Sequence, residues 1–148
     1  MSSDTNKLSD TWLSQFKASG YKLTGPRYFV VEILVQTDKA LTALEIYNQA
    51  HRKYPSIGLV SVYRTLEKLE DLGLIQRVHQ KEKCHAYIGA PQGHEHLLVC
   101  QSCGRVNFFR GDELNTLVNV VEANTGYVVQ EHWLQLVGIC KECQHKND

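Results

Sequence analysis

The sequence predicts an α+β protein of two small units, a helical first half that ends in a β-hairpin and a mixed second half held by a metal. Three observations support this class. Four amphipathic segments and two short apolar runs fill residues 1–89, turn-forming residues occupy 90–93, and two CxxC motifs lie within residues 94–148. A chain of 148 residues has room for one ordinary domain or two small ones, and small domains often need a staple.

The first two predicted helices occupy residues 10–19 and 24–36. The first places three apolar side chains on one side and stops at Gly20; these are Trp12, Leu13 and Phe16. The second begins with Thr-Gly-Pro-Arg, in which the Thr24 hydroxyl can cap the helix. Pro26 is tolerated in the first turn, because a backbone N–H there has no hydrogen-bond partner within the helix.

The next two predicted helices form a helix-turn-helix candidate. Residues 42–45 read Thr-Ala-Leu-Glu, a capping box that opens a helix ending before Pro55, and we expect it to bury Leu44, Ile46 and Tyr47. The following helix carries one apolar stripe closed by Gly73; its members are Val62, Leu66, Leu69 and Leu72. In such a pair the second helix is the one that enters the DNA major groove.

A β-hairpin is predicted directly after these helices, with strands at residues 74–78 and 85–88 around the polar turn 80–83. This is the layout of a winged helix-turn-helix. Residues 90–93, Ala-Pro-Gln-Gly, form the best linker in the chain. We therefore predict a winged-helix domain at residues 1–89, a hinge at 90–93 and a second domain at 94–148.

The second domain is predicted to be a small α/β unit. Its expected elements are strands at 96–99 and 105–109, a helix at 112–124, and one or two strands within 127–139. The helix is expected to turn an apolar face inward, formed by Leu114, Leu117, Val118 and Val121.

Four of the five cysteines form two CxxC motifs, Cys100–Cys103 and Cys140–Cys143, each at the end of a predicted strand. One such motif alone would be equally compatible with a redox-active pair of thiols. Two together favour structural zinc, because tetrahedral zinc takes two thiolates from each of two turns. With all four positions filled by protein, this zinc is expected to hold the fold and do no chemistry.

The polar face of the fourth helix is a candidate DNA surface. It comprises Ser61, Tyr63, Arg64, Thr65 and Lys68. Arg64 can pair with a guanine edge or a phosphate, and Ser61, Tyr63 and Lys68 can reach phosphates. A solvated helix face is the alternative. Residues 1–90 carry 12 Lys and Arg against 9 Asp and Glu, whereas residues 91–148 carry 4 against 7, which is compatible with a DNA-facing first half.

Several segments resemble the ferric uptake regulator family, in the same order along the chain. They are residues 22–27 (Lys-Leu-Thr-Gly-Pro-Arg), 59–66 (Leu-Val-Ser-Val-Tyr-Arg-Thr-Leu), 94–96 (His-Glu-His), His132 and the two CxxC motifs. The resemblance spans about residues 10–143. It implies a homodimer, formed through the second domain, that binds palindromic and usually AT-rich double-stranded DNA operators when a regulatory metal is bound.

The resemblance also implies roles for matching residues. Arg27, Tyr63 and Arg64 would contact DNA, the four cysteines would hold structural zinc, and His94 and His96 would bind the regulatory metal. The chain departs from iron- and peroxide-sensing members in two places. It has no histidine at residues 39–41, just before the third helix, and no acid near Ile88 on the wing strand.

A regulatory metal site is predicted near the domain junction, where five potential ligands gather: His79, Cys84, His85, His94 and His96. Imidazole with thiolate suits zinc, whereas manganese and magnesium prefer oxygen, and a cysteine ligand resembles the zinc-sensing branch of the family. Cys84 has the alternative role of a small buried residue, and His79 and His85 that of polar wing residues. His94 and His96, two apart on a strand, point the same way.

A further metal site is predicted at His132 with Glu95, Asp112 or Glu113.

The sequence thus predicts a metal-dependent, DNA-binding transcriptional repressor that responds to zinc and is not an enzyme. The metal would fix the winged helices about the hinge. With no apolar run long enough for a membrane span and a polar start, we expect a cytoplasmic protein without membrane or small-molecule partners. The alternatives are an iron, manganese, nickel or peroxide sensor of the same family and, more remotely, a zinc enzyme or redox protein.

Overall fold

The computed structural model describes residues 2–80, 85–91, 93–111 and 113–147. The architecture is α+β, as predicted, with two three-stranded sheets. Cys84 and most of the predicted wing turn lie outside the described residues, as does Asp112. Among the described residues, no helix combines the length and the apolar character that a membrane crossing needs.

Four helices build the first half: α1 (Ser2–Ala18), α2 (Gly25–Gln36), α3 (Ala43–Lys53) and α4 (Leu59–Asp71). α1 starts well before the predicted residue 10, because its first turns are polar and leave no apolar pattern to read. Trp12 and Phe16 on α1 are buried in the core that α2, α3 and α4 share. The α4 stripe is confirmed for Val62, Leu66 and Leu69, which are buried.

The helix starts agree with the sequence in part. α3 has the predicted capping box, in which the Glu45 backbone N–H donates to Thr42 Oγ1 (3.2 Å) and the Thr42 N–H donates to Glu45 Oε2 (2.8 Å). At α2, Thr24 occupies the capping position, but its side chain makes no cap hydrogen bond. The prediction that Leu44 is buried is wrong, since its side chain is 55% exposed while Ile46 is buried.

The wing sheet contains β1 (Leu41–Thr42), β2 (Ile75–Val78) and β3 (Ala86–Gly89) in the order β1-β3-β2, with all pairs antiparallel. The β2–β3 pair confirms the predicted hairpin. β1 was not predicted, because two residues are too few to display strand alternation.

The second half contains β4 (Glu95–Cys100), β5 (Val106–Arg110), α5 (Leu114–Thr125), β6 (Gln135–Gly138) and α6 (Lys141–Gln144). β4 is the central strand, antiparallel to β5 and parallel to β6. Of the one or two strands predicted within 127–139, only β6 is present. The short helix α6 and the 3₁₀ turn after it were not predicted.

The inward face predicted for α5 is not buried within the chain. No residue of α5 is buried, and Leu117 and Val121 are exposed. The segment after the helix is also open, with Tyr127 76% and Trp133 82% exposed. The apolar residues were recognised correctly, but the described residues leave Leu114 and Val118 only half-buried and Leu117 and Val121 exposed.

An apolar cluster joins the two halves; we call it the junction core. Its members are Ala40, Val78, Ala86 and Ile88 from the first half, and Leu97, Val99 and Val106 from the second. Backbone hydrogen bonds support it, from the Val106 N–H to the Asp38 carbonyl (2.9 Å) and from the Ala40 N–H to the Gly104 carbonyl (3.0 Å). The halves therefore contact each other well beyond the predicted hinge at 90–93.

Candidate metal centres and nucleic-acid interface

The four CxxC cysteines meet at one point, with all their Sγ atoms within 4.8 Å of one another. The parallel pairing of β4 with β6 sets Cys100 opposite Gly138, so the chain delivers Cys140 to the N-terminus of α6 close to Cys100. The Cys140 backbone N–H donates to Cys100 Sγ at 3.3 Å. Four thiol groups this close fit tetrahedral zinc, with Zn–S bonds of about 2.3 Å.

The cluster is electrostatically prepared for a cation. Burial raises the pKa of Cys100, but backbone N–H groups of Cys140, Cys103 and Ser102 lower it more, to about 6. For Cys140, an N–H from Cys143 lowers the pKa, whereas burial and the neighbouring thiols raise it to about 12. The fold thus lowers the pKa of one thiol of the group and raises that of another.

Arg105 connects this cysteine cluster to the first half. Its Nη1 atom lies 3.1 Å from Glu142 Oε2, between the second pair of cysteines, and its Nε atom lies 3.7 Å from Asp38 Oδ2. The pKa of Glu142 is lowered by its own backbone N–H, by Cys140 and by Arg105. The ion pairs place the cluster beside the loop that follows α2.

A second candidate centre, the histidine pocket, is formed around His96 and His132. The His96 ring on β4 is buried, and its centroid lies 5.3 Å from that of His132. Both rings line a cavity of about 330 Å³ together with His94, Glu95 and Glu131. A Cβ atom on Gly111 would lie 2.8 Å from His96 Cδ2 and 3.1 Å from Nε2, so a larger residue there would push on the His96 ring.

In the part of the chain that the structure describes, the predicted regulatory ligands do not all line one pocket, since His94 and His96 line the histidine pocket and His79 and His85 do not. His94 directly precedes β4 and is exposed, whereas His96 on β4 is buried, and both side chains line the histidine pocket. His79 directly follows β2, His85 directly precedes β3, and both are exposed, whereas Cys84 lies outside the described residues. In the described part of the chain, only the four cysteines form a ready group of three or more ligands.

The His96–His132 pair is the feature that the sequence left undecided. Parallel pairing of β6 with β4 brings residues far apart in the chain to one end of the sheet. Such pairing cannot be read from local alternation. The expected further site named Glu95 with His132, and both residues do line the histidine pocket.

The candidate DNA surface lies on α4. Tyr63 and Arg64 are exposed, and Lys68 Nζ lies 5.0 Å from the Tyr21 ring centroid. Arg27 lies over the Phe16 and Tyr21 rings, so it joins Lys68 around one aromatic side chain. Thr65 does not belong to this surface, because it is buried and donates to the Ser61 carbonyl.

Arg77, on β2, is a charged residue beside this surface that the sequence analysis missed. Its Nε atom lies 2.8 Å from Glu70 Oε1 on α4, and hydrogen bonding to Glu70 raises its pKa. Arg77 shares a surface cavity with Tyr63 and Arg64. Its position on the solvent side of a half-buried strand was the available signal.

Comparison with known proteins gives consistent matches. The ferric uptake regulator family matches residues 18–137. The ferric uptake regulation protein of Bacillus subtilis (strain 168) is 34% identical over 137 residues, covering 89% of this chain and 91% of that protein. The Helicobacter pylori ferric uptake regulator Fur, whose structure has three functional metal binding sites, is similar with a TM-score of 0.72 and 25% identity, covering 95% of this chain and 93% of that one.

A zinc uptake regulator complexed with zinc and DNA has the same fold, with a TM-score of 0.72 at 20% identity and 97% of each chain covered. The likeness therefore extends over both halves of the molecule.

Replacement of a cysteine of the cluster is expected to remove its metal and destabilise the second half. In Cys143→Ser the tightly bound zinc should be lost, since structural zinc contributes directly to folding. Zinc analysis after dialysis and thermal unfolding at fixed concentration measure both effects. Cys84→Ser is the matched control and should retain this zinc; full zinc retention in Cys143→Ser would contradict the assignment.

Proposed function

Because this chain belongs to the ferric uptake regulator family, we propose that it is a zinc-responsive repressor that binds a palindromic DNA operator as a homodimer. Members of this family are metal-responsive transcriptional regulators. The cysteine cluster would hold a structural zinc ion, and its four protein ligands leave no open position for catalysis. A second, exchangeable metal would then carry the signal.

The His96–His132 pair is the observation that carries the proposal for the regulatory site. From a Zn–N distance of about 2.0–2.1 Å, two imidazoles on one tetrahedral zinc have ring centroids roughly 5 Å apart. The 5.3 Å separation of the two rings fits this geometry. Exposed His94 and Glu131 line the same cavity and would complete the site by side-chain rotation.

Zinc is favoured over metals that prefer oxygen, because the pocket offers nitrogen donors first. The two positions that depart from iron sensors support this choice, since Ala40 and Ile88 are buried in the junction core. That junction offers apolar packing in place of ligands. His79, Cys84 and His85 stay predicted ligands of the wing, and the experiment below separates them from the histidine pocket.

The homodimer is proposed from the uncovered apolar surface of the second half. The exposed residues are Leu117, Val120, Val121, Tyr127, Val128, Trp133, Leu136 and Val137. So many exposed large apolar side chains within one small domain are typical of a protein–protein contact surface. A second copy would cover it and give the two-fold symmetry that a palindromic operator requires, with recognition helices about 34 Å apart.

On DNA, α4 would act as the recognition helix of each subunit. Arg64 is exposed and can reach a base edge or a phosphate, and Tyr63 next to it can bind a phosphate. Arg27 and Lys68 would support the backbone contacts from beside Tyr21, together with Ser61.

Loss of an imidazole from the histidine pocket is expected to abolish the metal response. For wild type, buffered zinc should raise operator affinity at free concentrations far below those needed for manganese or, anaerobically, ferrous iron. The gain for a coupling of typical size is about 5- to 150-fold. In His132→Ala this gain should disappear, as measured by fluorescence anisotropy of promoter DNA.

His51→Ala, an exposed histidine on α3, is the control and should respond as wild type does. If the wild-type protein responds to iron or manganese and not to zinc, the proposal of zinc as the signal is wrong. An unchanged zinc response in His132→Ala, together with its loss in Cys84→Ala, would move the regulatory site to the wing.

Removal of the Arg64 side chain is expected to weaken operator binding by about 1–3 kcal/mol, with and without added zinc, because the contact is to DNA and not to metal. Arg110→Ala, an exposed arginine on β5, should bind as wild type. Equal affinity of Arg64→Ala and Arg110→Ala in the same anisotropy titration would refute the role of α4.

A further inference from the structure

We infer that Gln135 is the positioning residue that couples the histidine pocket to the wing, an inference that rests on the proposed metal binding by His96 and His132. Its side-chain amide holds the backbone of His79, the first residue after β2. Through this contact the second half would act on the DNA-binding half.

The contact between Gln135 and His79 uses both ends of the amide. The His79 backbone N–H donates to Gln135 Oε1 at 3.0 Å, and Gln135 Nε2 donates to the His79 carbonyl at 2.9 Å. Both distances lie in the ordinary range for hydrogen bonds. A single side chain thus satisfies a complete backbone unit of the wing, as a neighbouring strand would, and we call this contact the amide clasp.

The amide clasp is connected to the histidine pocket by a short piece of chain. Gln135 is the first residue of β6, and only two residues separate it from His132. It pairs with Leu97, the residue that follows His96 on β4. A metal that joins His96 to His132 would hold the segment before β6 against β4. It would thereby restrict the position of Gln135.

The apolar contacts of the junction core do not by themselves fix the wing. Val78 and Ile88 pack on Leu97 and Val99, and hydrophobic contact is not directional. Hydrogen bonds, in contrast, require a defined alignment of donor and acceptor. The backbone hydrogen bonds at Asp38 and Ala40 provide such alignment before β1, and the amide clasp provides it at the end of β2.

From the wing, a further contact reaches the candidate DNA surface. Arg77, two residues before His79, pairs with Glu70 on α4, the helix that carries Tyr63 and Arg64. The physical route is thus pocket, Gln135, β2 and α4. By thermodynamic reciprocity, a clasp that makes metal favour one wing position must also make that wing position favour metal.

Amide hydrogen exchange at His79 tests this inference directly. The full-length protein is compared with and without zinc in excess of the cysteine cluster, in wild type and in Gln135→Ala. Zinc should slow exchange of the wild-type His79 amide by at least about fivefold, the lower end of usual coupling. Gln135→Ala should show no such effect of zinc.

Two further variants secure the result. Gln135→Glu keeps the acceptor for the His79 N–H but loses the donor to the His79 carbonyl, and it should also lose the zinc effect. It replaces Gln135→Ala in the test if the alanine variant does not fold. Gln36→Ala, an exposed glutamine on α2, should behave as wild type. Zinc protection that persists in a folded Gln135 variant, or that is missing in wild type, would overturn the inference.

Operator affinity, measured on the same samples, separates this inference from the proposed function. Gln135→Ala should lose at least about fivefold of the zinc-dependent gain in affinity. If zinc protects His79 in wild type yet leaves DNA affinity unchanged, the clasp stands and the repressor model fails. If zinc raises DNA affinity equally in wild type and Gln135→Ala, the clasp is refuted and the repressor model stands.

Discussion

The meeting of four cysteine sulfurs is the constraint on which the second half depends. Their Sγ atoms gather within 4.8 Å because Cys100 ends β4 and Cys140 directly precedes α6. Metal bound there would hold β6 parallel to β4 across the long connection between them, whose closure costs chain entropy. That alignment in turn brings His132 to His96 and Gln135 to His79. One structural metal site would thus arrange the residues of a second, regulatory one.

The two halves meet through apolar packing, the Arg105–Asp38 ion pair and the amide clasp, in addition to the chain at the predicted hinge. The junction core contains Ala40 and Ile88, two positions at which the sequence carries no metal ligand. In our account the metal adjusts an existing contact between the halves. Allosteric coupling of ordinary size, about 1–3 kcal/mol, is enough for such a role.

Much of the fold could be predicted because its signals are local. The capping box at Thr42, the α4 stripe and the paired CxxC motifs each lie within one segment and have a direct physical meaning. The misses depend on tertiary contacts. Leu44 is exposed because α3 turns Ala43 and Ile46 inward instead. Thr65 can be buried on α4 because its hydroxyl donates to the Ser61 carbonyl and so keeps a hydrogen-bond partner. The proposed regulatory pair was harder still to predict, since His96 and His132 meet only through the parallel register of β6.

X-ray absorption spectroscopy at the zinc edge, with zinc added in steps to the full-length protein, tests most directly whether the histidine pocket is the regulatory site. Our account predicts a first ion surrounded by four sulfurs and a second surrounded by nitrogen and oxygen, with the scattering pattern of at least two imidazoles. Sulfur around the second ion would contradict it, because Cys84 is the only cysteine outside the cluster and would then have to be a ligand.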